Sequence, residues 1–345
     1  MTITKRIQLL PIISPIIAIA SALLVGAILI LIAGANPITA YTALFQESLF
    51  DYYGFGNTLN KMTPLLFSSL GVLVALRAGQ FNIGGEGQIY LGALGSALVG
   101  LYIKGLPALI HIPLGLLVGC LFGAVWGGIP GYLKAVRGVN EVITTLLLNY
   151  IAINLVSYLV QNPLKEVNAP SPYSPLIAKS AQLPILPGSL AHGGIFLGII
   201  IAVILWIFLQ RTPFGYQITA VGFNPIASAY AGISVQRTII LVMTLAGGLA
   251  GLAGSCEVMG LKYRLFEEVS PGYGFDAIAI GFLSRGNVLG VVLTSLFFAA
   301  LRSGANVIQR SAGVPVTVVF AIQGLTMLFI AIALALESRY SNPLS

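Results

Sequence analysis

Chemistry in this chain would sit where polar side chains interrupt apolar runs. Asn82, Glu86 and Gln88 fall in FNIGGEGQ. Asn140, Glu141, Asn149 and Asn154 fall in NEVITTLLLNYIAIN, and Glu257 and Asp276 stand in apolar surroundings further on. A carboxylate in hydrocarbon is costly, so by default it marks a solute pathway or a partner. Glycines 84, 85 and 87 surround Glu86. That pattern reads as a broken or re-entrant helix with exposed backbone, as at transporter sites, or else as a tight turn at the membrane edge. Helical spacing puts Glu141, Leu148 and Asn149 on roughly one side, where they would line a cavity or hydrogen-bond to a neighbouring helix. Glu141 also reads as a first-turn carboxylate beside the cap residue Asn140.

Other chemistries lack their residues. No Gly-Lys dipeptide occurs, so there is no phosphate-binding loop of the Walker type. No HExxH, paired-Cys motif or GxSxG is present, and the Ser and Cys residues have no plausible His partner, so an enzyme is disfavoured. Cys120 and Cys256 lie in apolar runs and read as small core residues. His111 and His192 stand alone, with no metal-ligand spacing. The acids are scattered and neither His lies deep in a span, which counts against an ion-coupled relay.

The elements that must position these groups are membrane helices. The chain has 345 residues, is 57% hydrophobic and only 8% charged, with a mean hydropathy of +0.96. A soluble domain carries about 25% charge, so this composition specifies an all-α, polytopic integral membrane protein forming a single domain over 1–345. The 40 glycines suit closely packed membrane helices. The net charge of +7 is accounted for by basic loop ends, without nucleic acid. Apolar segments are expected at about Pro11–Ala33, Leu59–Leu76, Ile89–Ile103, Pro113–Leu133, Val142–Val160, Gly193–Gln210, Thr238–Gly260 and Val314–Leu336. Phe275–Leu283 and Val288–Leu301 look short for a full span. In all, about eight to ten segments would cross. The N-terminal apolar run is too long for a signal peptide and is expected to be a retained first helix.

Asn36–Asn57, with Glu47 and Asp51, reads as an external loop, as does the Pro-rich stretch at about 161–191. With the N-terminus inside, Lys5, Arg6, Arg77, Lys134, Arg137, Arg211, Arg237, Arg285 and Arg339 fall inside. Lys61, Lys104, Lys165, Lys179, Lys262, Arg264, Arg302 and Arg310 fall in outside loops that they share with the acids, and Glu337–Ser345 is a tail.

Between two strongly apolar segments lies RTPFGYQITAVGFNPIASAYAGISVQR, residues 211–237. It reads as two short helices in tandem. Thr212 caps the first, Pro213 takes its first position, and Gly222 is expected to close it in a left-handed conformation. Asn224 and Pro225 open the second, which runs through Ala229 and Tyr230 to a stop at Gly232. Neither helix is long enough to be stable alone in water. The flanking Arg211 and Arg237 point to the cytoplasmic side. The pair is either a docking element for a soluble partner or a loop lying on the membrane.

FNIGGEGQIYLGALG, VNEVITTLLLNYIA and TPFGYQITAVGFNPIASAYAGI, in that order, resemble the permease subunits of bacterial ABC importers. The branch is that of ribose, branched-chain amino acid and, above all, nucleoside permeases, the group dependent on a basic membrane lipoprotein. The resemblance covers about Ala78–Gly290 and includes GYGFDAIAIGFLSRGNVLG. It implies half of a translocation pathway in the bacterial cytoplasmic (inner) membrane. The other half would come from a second, homologous permease. An external binding lipoprotein would deliver the substrate, and a separate ATPase subunit would hold ATP and Mg2+, leaving this chain without a cofactor. The Asn224–Gly232 helix would be the coupling helix docked on that ATPase. Nucleosides are the substrate it implies first, with sugars or branched-chain amino acids as the alternative and a stand-alone ion-coupled carrier as a more distant one. Phe81, Asn82, Gln88 and Asn149 would supply stacking and amide hydrogen bonds to a base, with Glu86 and Glu141 as further pathway candidates. One departure stands out: relatives commonly carry an RAVG-like run where this chain has Ile218-Thr219-Ala220-Val221-Gly222.

Overall fold

The computed structural model describes residues 3–341, with side-chain surroundings for residues 16–333. The side chains of Lys5, Arg6 and Arg339, and the last residues of the expected tail, lie outside the described set. The fold is all-helical: among the described residues the only β pairing is two isolated bridges, Tyr173–Phe266 and Ile185–His192. Among the described residues seven helices are long and apolar enough to cross a membrane, and eight if a bent pair counts as one span. The chain divides into two compact units, residues 62–295 and residues 1–61 with 296–345.

In the larger unit, α3 (Tyr52–Arg77) enters from the smaller one and is followed by α4 (Gly85–Tyr102), α5 (Ala108–Arg137) and α6 (Glu141–Gln161). Then come α7 (Gly194–Arg211), the short helices α8 (Pro213–Phe223) and α9 (Pro225–Tyr230), and α10 (Val235–Cys256). A π-helical stretch, Glu257–Lys262, prolongs α10. α11 (Tyr273–Leu283) and the start of α12 (Val288–Ala312) complete the unit. α4, α5 and α10 pack on one another to form its centre.

Small residues permit that packing. Buried glycines 115, 119, 123, 127 and 131 recur every fourth residue along one face of α5. A Cβ at Gly123 would collide with the Gly247 carbonyl of α10. One at Gly247 would collide with the Gly123 carbonyl, and one at Gly92 of α4 with the Gly251 carbonyl. Lipid tails are as apolar as leucine, so helix association in a bilayer relies on such backbone approach and van der Waals contact. α4 has 18 residues, 15 of them buried. It has the length of a span without the hydropathy of one, because its neighbours rather than lipid surround it.

The Pro-rich segment before α7 is non-helical apart from a short turn, Lys179–Ala181. Its backbone is nonetheless tied down, through Ala178 N–H to Gly100 O (2.9 Å), Leu183 N–H to Met259 O (2.8 Å) and Ile177 N–H to Tyr263 O (2.9 Å). His192 closes it. Its Nδ1 accepts the Gly194 N–H at 3.1 Å, and burial pushes the imidazole down from 6.5 to about 4.

In the smaller unit, α1 (Ile3–Ile32) lies along α13 (Val316–Ser341), with Gly26 against Ile322. Residues 37–50, expected to be loop, are helical instead. Asn36 caps α2 (Pro37–Phe45) by accepting the Ile38 N–H at 2.9 Å, and a π-helical turn Gln46–Phe50 follows. The turn after α1 reverses the direction by 120°. Ala40 and Leu44 are buried in a core with Ile30, Leu301, Ala305, Ile308, Val314 and Val319, and that apolar face makes the polar segment a helix. α12 is likewise longer than the expected 288–301. It runs on to Ala312, because Leu301, Ala305 and Ile308 recur at helical spacing against the same core.

Three outcomes are expected. Gly123→Leu forces α5 and α10 apart and lowers the melting temperature or abolishes extraction of folded protein, overpacking costing ~1–3 kcal/mol or more. Gly324→Ala, with nothing within 4 Å, leaves thermal unfolding in detergent unchanged. His192 has a folded pKa below its unfolded value. Acidification from about 6.5 towards about 4 therefore protonates only the unfolded form and lowers stability, which is full above that window. His192→Gln should flatten that part of the stability–pH curve, read by thermal unfolding at several pH values.

Candidate functional site

Two places carry the groups singled out in the sequence. The first is the α8–α9 stretch. Thr212 Oγ1 accepts the Gly215 N–H at 3.2 Å and donates to Phe208 O of α7 at 2.6 Å, so the cap also fastens α8 to the helix before it. Asn224 Oδ1 accepts the Ala227 N–H at 3.0 Å, and Pro213 and Pro225 each open their helix. Gly232 takes the expected left-handed backbone, φ +81°. Gly222 does not. It is helical, α8 continues to Phe223, and a Cβ at Gly222 would collide with the Arg77 carbonyl at the end of α3. Glycine is needed there for close approach, not for a left-handed turn.

The two helices differ in what they bury. α8 turns Gly215, Ile218 and Val221 inward. α9 buries Ser228 alone among its six residues. Ile226 is 71% exposed, Tyr230 90%, and Phe223 just before them 87%. This is an apolar, aromatic knuckle on a rigid base, and exposed patches of that kind mark interaction sites.

Thr219 opens the run Thr219-Ala220-Val221-Gly222 near the end of α8. Its hydroxyl donates to Gly215 O at 2.9 Å, and it lines a cavity of about 630 Å3 with Arg77 and Arg285. The Arg77 guanidinium donates to Gly286 O through Nε (3.0 Å) and Nη2 (2.7 Å). Two arginines thus line the cavity beside Thr219.

The second place is the break before α4. Asn82 and Gln88 pair amide to amide, Nδ2 to Oε1 and Nε2 to Oδ1, both at 3.0 Å. Asn82 Oδ1 also accepts the Gly84 N–H at 3.0 Å. From α6, Asn149 Oδ1 accepts the Gly87 N–H (2.8 Å), and its Nδ2 donates to Ile83 O (2.9 Å). The Glu86 carboxylate accepts the Gly272 N–H at 3.1 Å and the Gly274 N–H at 2.7 Å. It therefore sits at the N-terminus of α11, where amides point outward and negative charge is favoured. All four of these side chains are buried.

The structure thus brings Asn82, Gln88 and Asn149 into one network, with Glu86 linking it to α11. Glu141 stands apart in an ion pair with Lys134 Nζ at 2.8 Å, while Asn140 caps α6 through the Val142 N–H at 2.9 Å. Leu148 is half-buried beside that face. Phe81 is 44% exposed and packs on Phe282 with ring centroids 6.2 Å apart. Asn154 bonds back to Tyr150 O of its own helix at 2.7 Å. Glu257 and Asp276 are buried, at the start of the π-helical stretch and in the first turn of α11. Among the described residues no group of three or more His, Cys, Asp or Glu is placed to hold a metal ion.

Lys61, Arg302 and Arg310, expected in external loops, lie within helices. Arg302 is buried near the middle of α12 and Lys61 is half-buried in α3. Arg310 pairs with Glu47 at 3.1 Å. The available signal was the helical spacing of Leu301, Ala305 and Ile308 around Arg302.

Fold and site together define a polytopic membrane protein with a broken central helix and an exposed two-helix knuckle. The branched-chain amino acid transport system permease component family matches residues 54–331, and the chain belongs to that family. It is 37% identical over 330 residues to the guanosine ABC transporter permease protein NupP of Bacillus subtilis, covering 94% of each chain. Identity to the nucleoside ABC transporter permease protein NupB of Lactococcus lactis is 36%, over 94% of this chain and 91% of that one. It is also 36% to the glucose ABC transporter permease protein TsgB13 of Haloferax volcanii, over 92% and 86%. The chain is a permease subunit, a transport component and not an enzyme.

A prediction follows from Glu86. Glu86→Gln replaces an acceptor that holds two N–H groups by an amide with one acceptor oxygen, costing ~1–3 kcal/mol. The melting temperature in detergent should fall, and Asn149→Leu should lower it too. An unchanged melting temperature with impaired uptake would instead place Glu86 on the solute path.

Proposed function

We propose that this permease forms half of the pathway of an ATP-driven importer for nucleosides in the bacterial cytoplasmic membrane. The observation that carries the reading is the knuckle. Phe223 at the end of α8 and Ile226 and Tyr230 on α9 are presented on two helices too short to stand alone, held by caps at both starts and by the Gly222–Arg77 contact. Such an element suits docking on a soluble ATPase subunit, which would bind ATP and Mg2+. Movement of α9 would pass through α8 to the ends of α3 and α7. Arg77 and Arg285 would supply positive charge beside Thr219. A second, homologous permease would complete the pathway and an external lipoprotein would bring the solute. Glu86, Asn82, Gln88 and Asn149 would then hold the broken helix in shape beside that pathway, with Phe81 and Glu141 flanking it.

The nucleoside reading draws on the guanosine and nucleoside permeases among the relatives. A sugar remains the second reading, because a glucose permease is equally similar. Ala229 is exposed on α9, so Ala229→Glu leaves folding intact. That variant is expected to lose co-purification with the ATPase and substrate-stimulated ATP hydrolysis. Normal coupling in Ala229→Glu would remove α9 from the docking role.

A further inference from the structure

A second cavity lies between α7, α8 and α10. Its volume is about 280 Å3, and six of its eight lining residues are apolar: Phe208 of α7, Phe214 and Ile218 of α8, and Leu241, Val242 and Leu245 of α10. Phe214 and Leu241 are each 54% exposed, so the cavity opens at the surface. α7 and α10 are both long and apolar enough to cross the membrane. Leu245 lies ten residues beyond the first residue of α10, about 15 Å along the helix. That is about half the thickness of a hydrocarbon core. Ile204, one turn before Phe208 on α7, is also exposed, so the apolar surface continues along that span away from the cavity.

Two arginines stand at the other end. Arg211 is the last residue of α7, three beyond Phe208, and Arg237 is in the first turn of α10, four before Leu241. Residues three or four apart share a helix face. Each arginine is therefore on the face that lines the cavity, one turn nearer the helix end. Both are exposed. Among the described residues neither guanidinium has an ion pair or hydrogen bond, and residues 194–256 contain no Asp or Glu. An apolar slot at hydrocarbon depth, with positive charge at its mouth, fits a molecule that has a chain and a negative head. A water-soluble anion has no use for the slot, and a soluble protein does not reach that depth.

We propose that α7, α8 and α10 form a binding site for one anionic glycerophospholipid. An acyl chain lies against Phe208, Phe214, Leu241 and Leu245, and the phosphate faces Arg211 and Arg237. Basic side chains beside a membrane attract anionic headgroups, and each buried methylene adds to the binding. The lipid would pack α8, which bears the knuckle, against the two spans. The site is independent of the solute and of docking through α9.

The test is native mass spectrometry of the purified full chain in detergent, incubated with equal amounts of dioleoyl phosphatidylglycerol and dioleoyl phosphatidylcholine. Wild-type protein is expected to retain one phosphatidylglycerol in preference to phosphatidylcholine. Arg211→Gln combined with Arg237→Gln is expected to lower phosphatidylglycerol retention about tenfold or more and phosphatidylcholine retention little. Arg211→Lys combined with Arg237→Lys is expected to keep the preference. Leu241→Trp fills the cavity and is expected to lower retention of both lipids. These positions are exposed, so thermal unfolding of each variant in detergent is expected to match wild type. Wild-type protein that retains no lipid, or both equally, would overturn the site. So would a glutamine variant that keeps the preference, or Leu241→Trp that retains lipid as before. Displacement of the lipid by glycerol 1-phosphate would overturn it too, leaving the arginines as a site for soluble anions.

Discussion

Everything in the larger unit depends on how closely the backbones of α4, α5 and α10 approach. At Gly92, Gly123, Gly247 and Gly251 a single added carbon meets a carbonyl of the facing helix. Contact at that range gives the helices dispersion energy along their length, in a solvent that offers no hydrophobic driving force between them. It also allows α4 to be buried on nearly all sides. A helix that touches little lipid can begin with Glu86 and Gln88, and it can begin after a break in the backbone, because protein rather than hydrocarbon surrounds the freed N–H and C=O groups.

The polar network before α4 follows from that freedom. Breaking the chain at residues 82–85 releases backbone donors and an acceptor. Asn149, reaching from α6, accepts the Gly87 N–H through Oδ1 and donates a hydrogen bond from Nδ2 to Ile83 O. Glu86 then joins the start of α4 to the start of α11, two helix N-termini meeting through one carboxylate. In a buried site each of these hydrogen bonds matters mainly because leaving its groups unpaired would cost more than the bond contributes. The same holds at α8 and α9. There the caps of α8 and α9 and the close fit of Gly222 on Arg77 leave an apolar surface exposed on a helix with little other support.

Much of this was legible in the sequence, and the misses share one cause. The caps Thr212 and Asn224, the prolines after them and the left-handed Gly232 are local events, decided within a few residues. Gly222 was misread because its need for glycine comes from Arg77, which only the fold brings near. Residues 37–50 and 302–312 were misread because their polar side chains suggested loop. The buried positions Ala40, Leu44, Ala305 and Ile308 that make them helical find their core in chain ends far apart in sequence. The site was legible as a set of residue types, while its internal pairing was not. Asn82 with Gln88, and Glu86 with the Gly272 and Gly274 amides, required α4, α6 and α11 to be in place.

The central claim is that this chain conducts solute only when a soluble ATPase moves its exposed two-helix knuckle. The most direct measurement is uptake of labelled guanosine into proteoliposomes holding the two permeases, with binding protein and ATP supplied and the ATPase present or omitted. The account predicts accumulation against a gradient with the ATPase and none without it. Concentrative uptake without the ATPase, driven by an ion gradient, would contradict it.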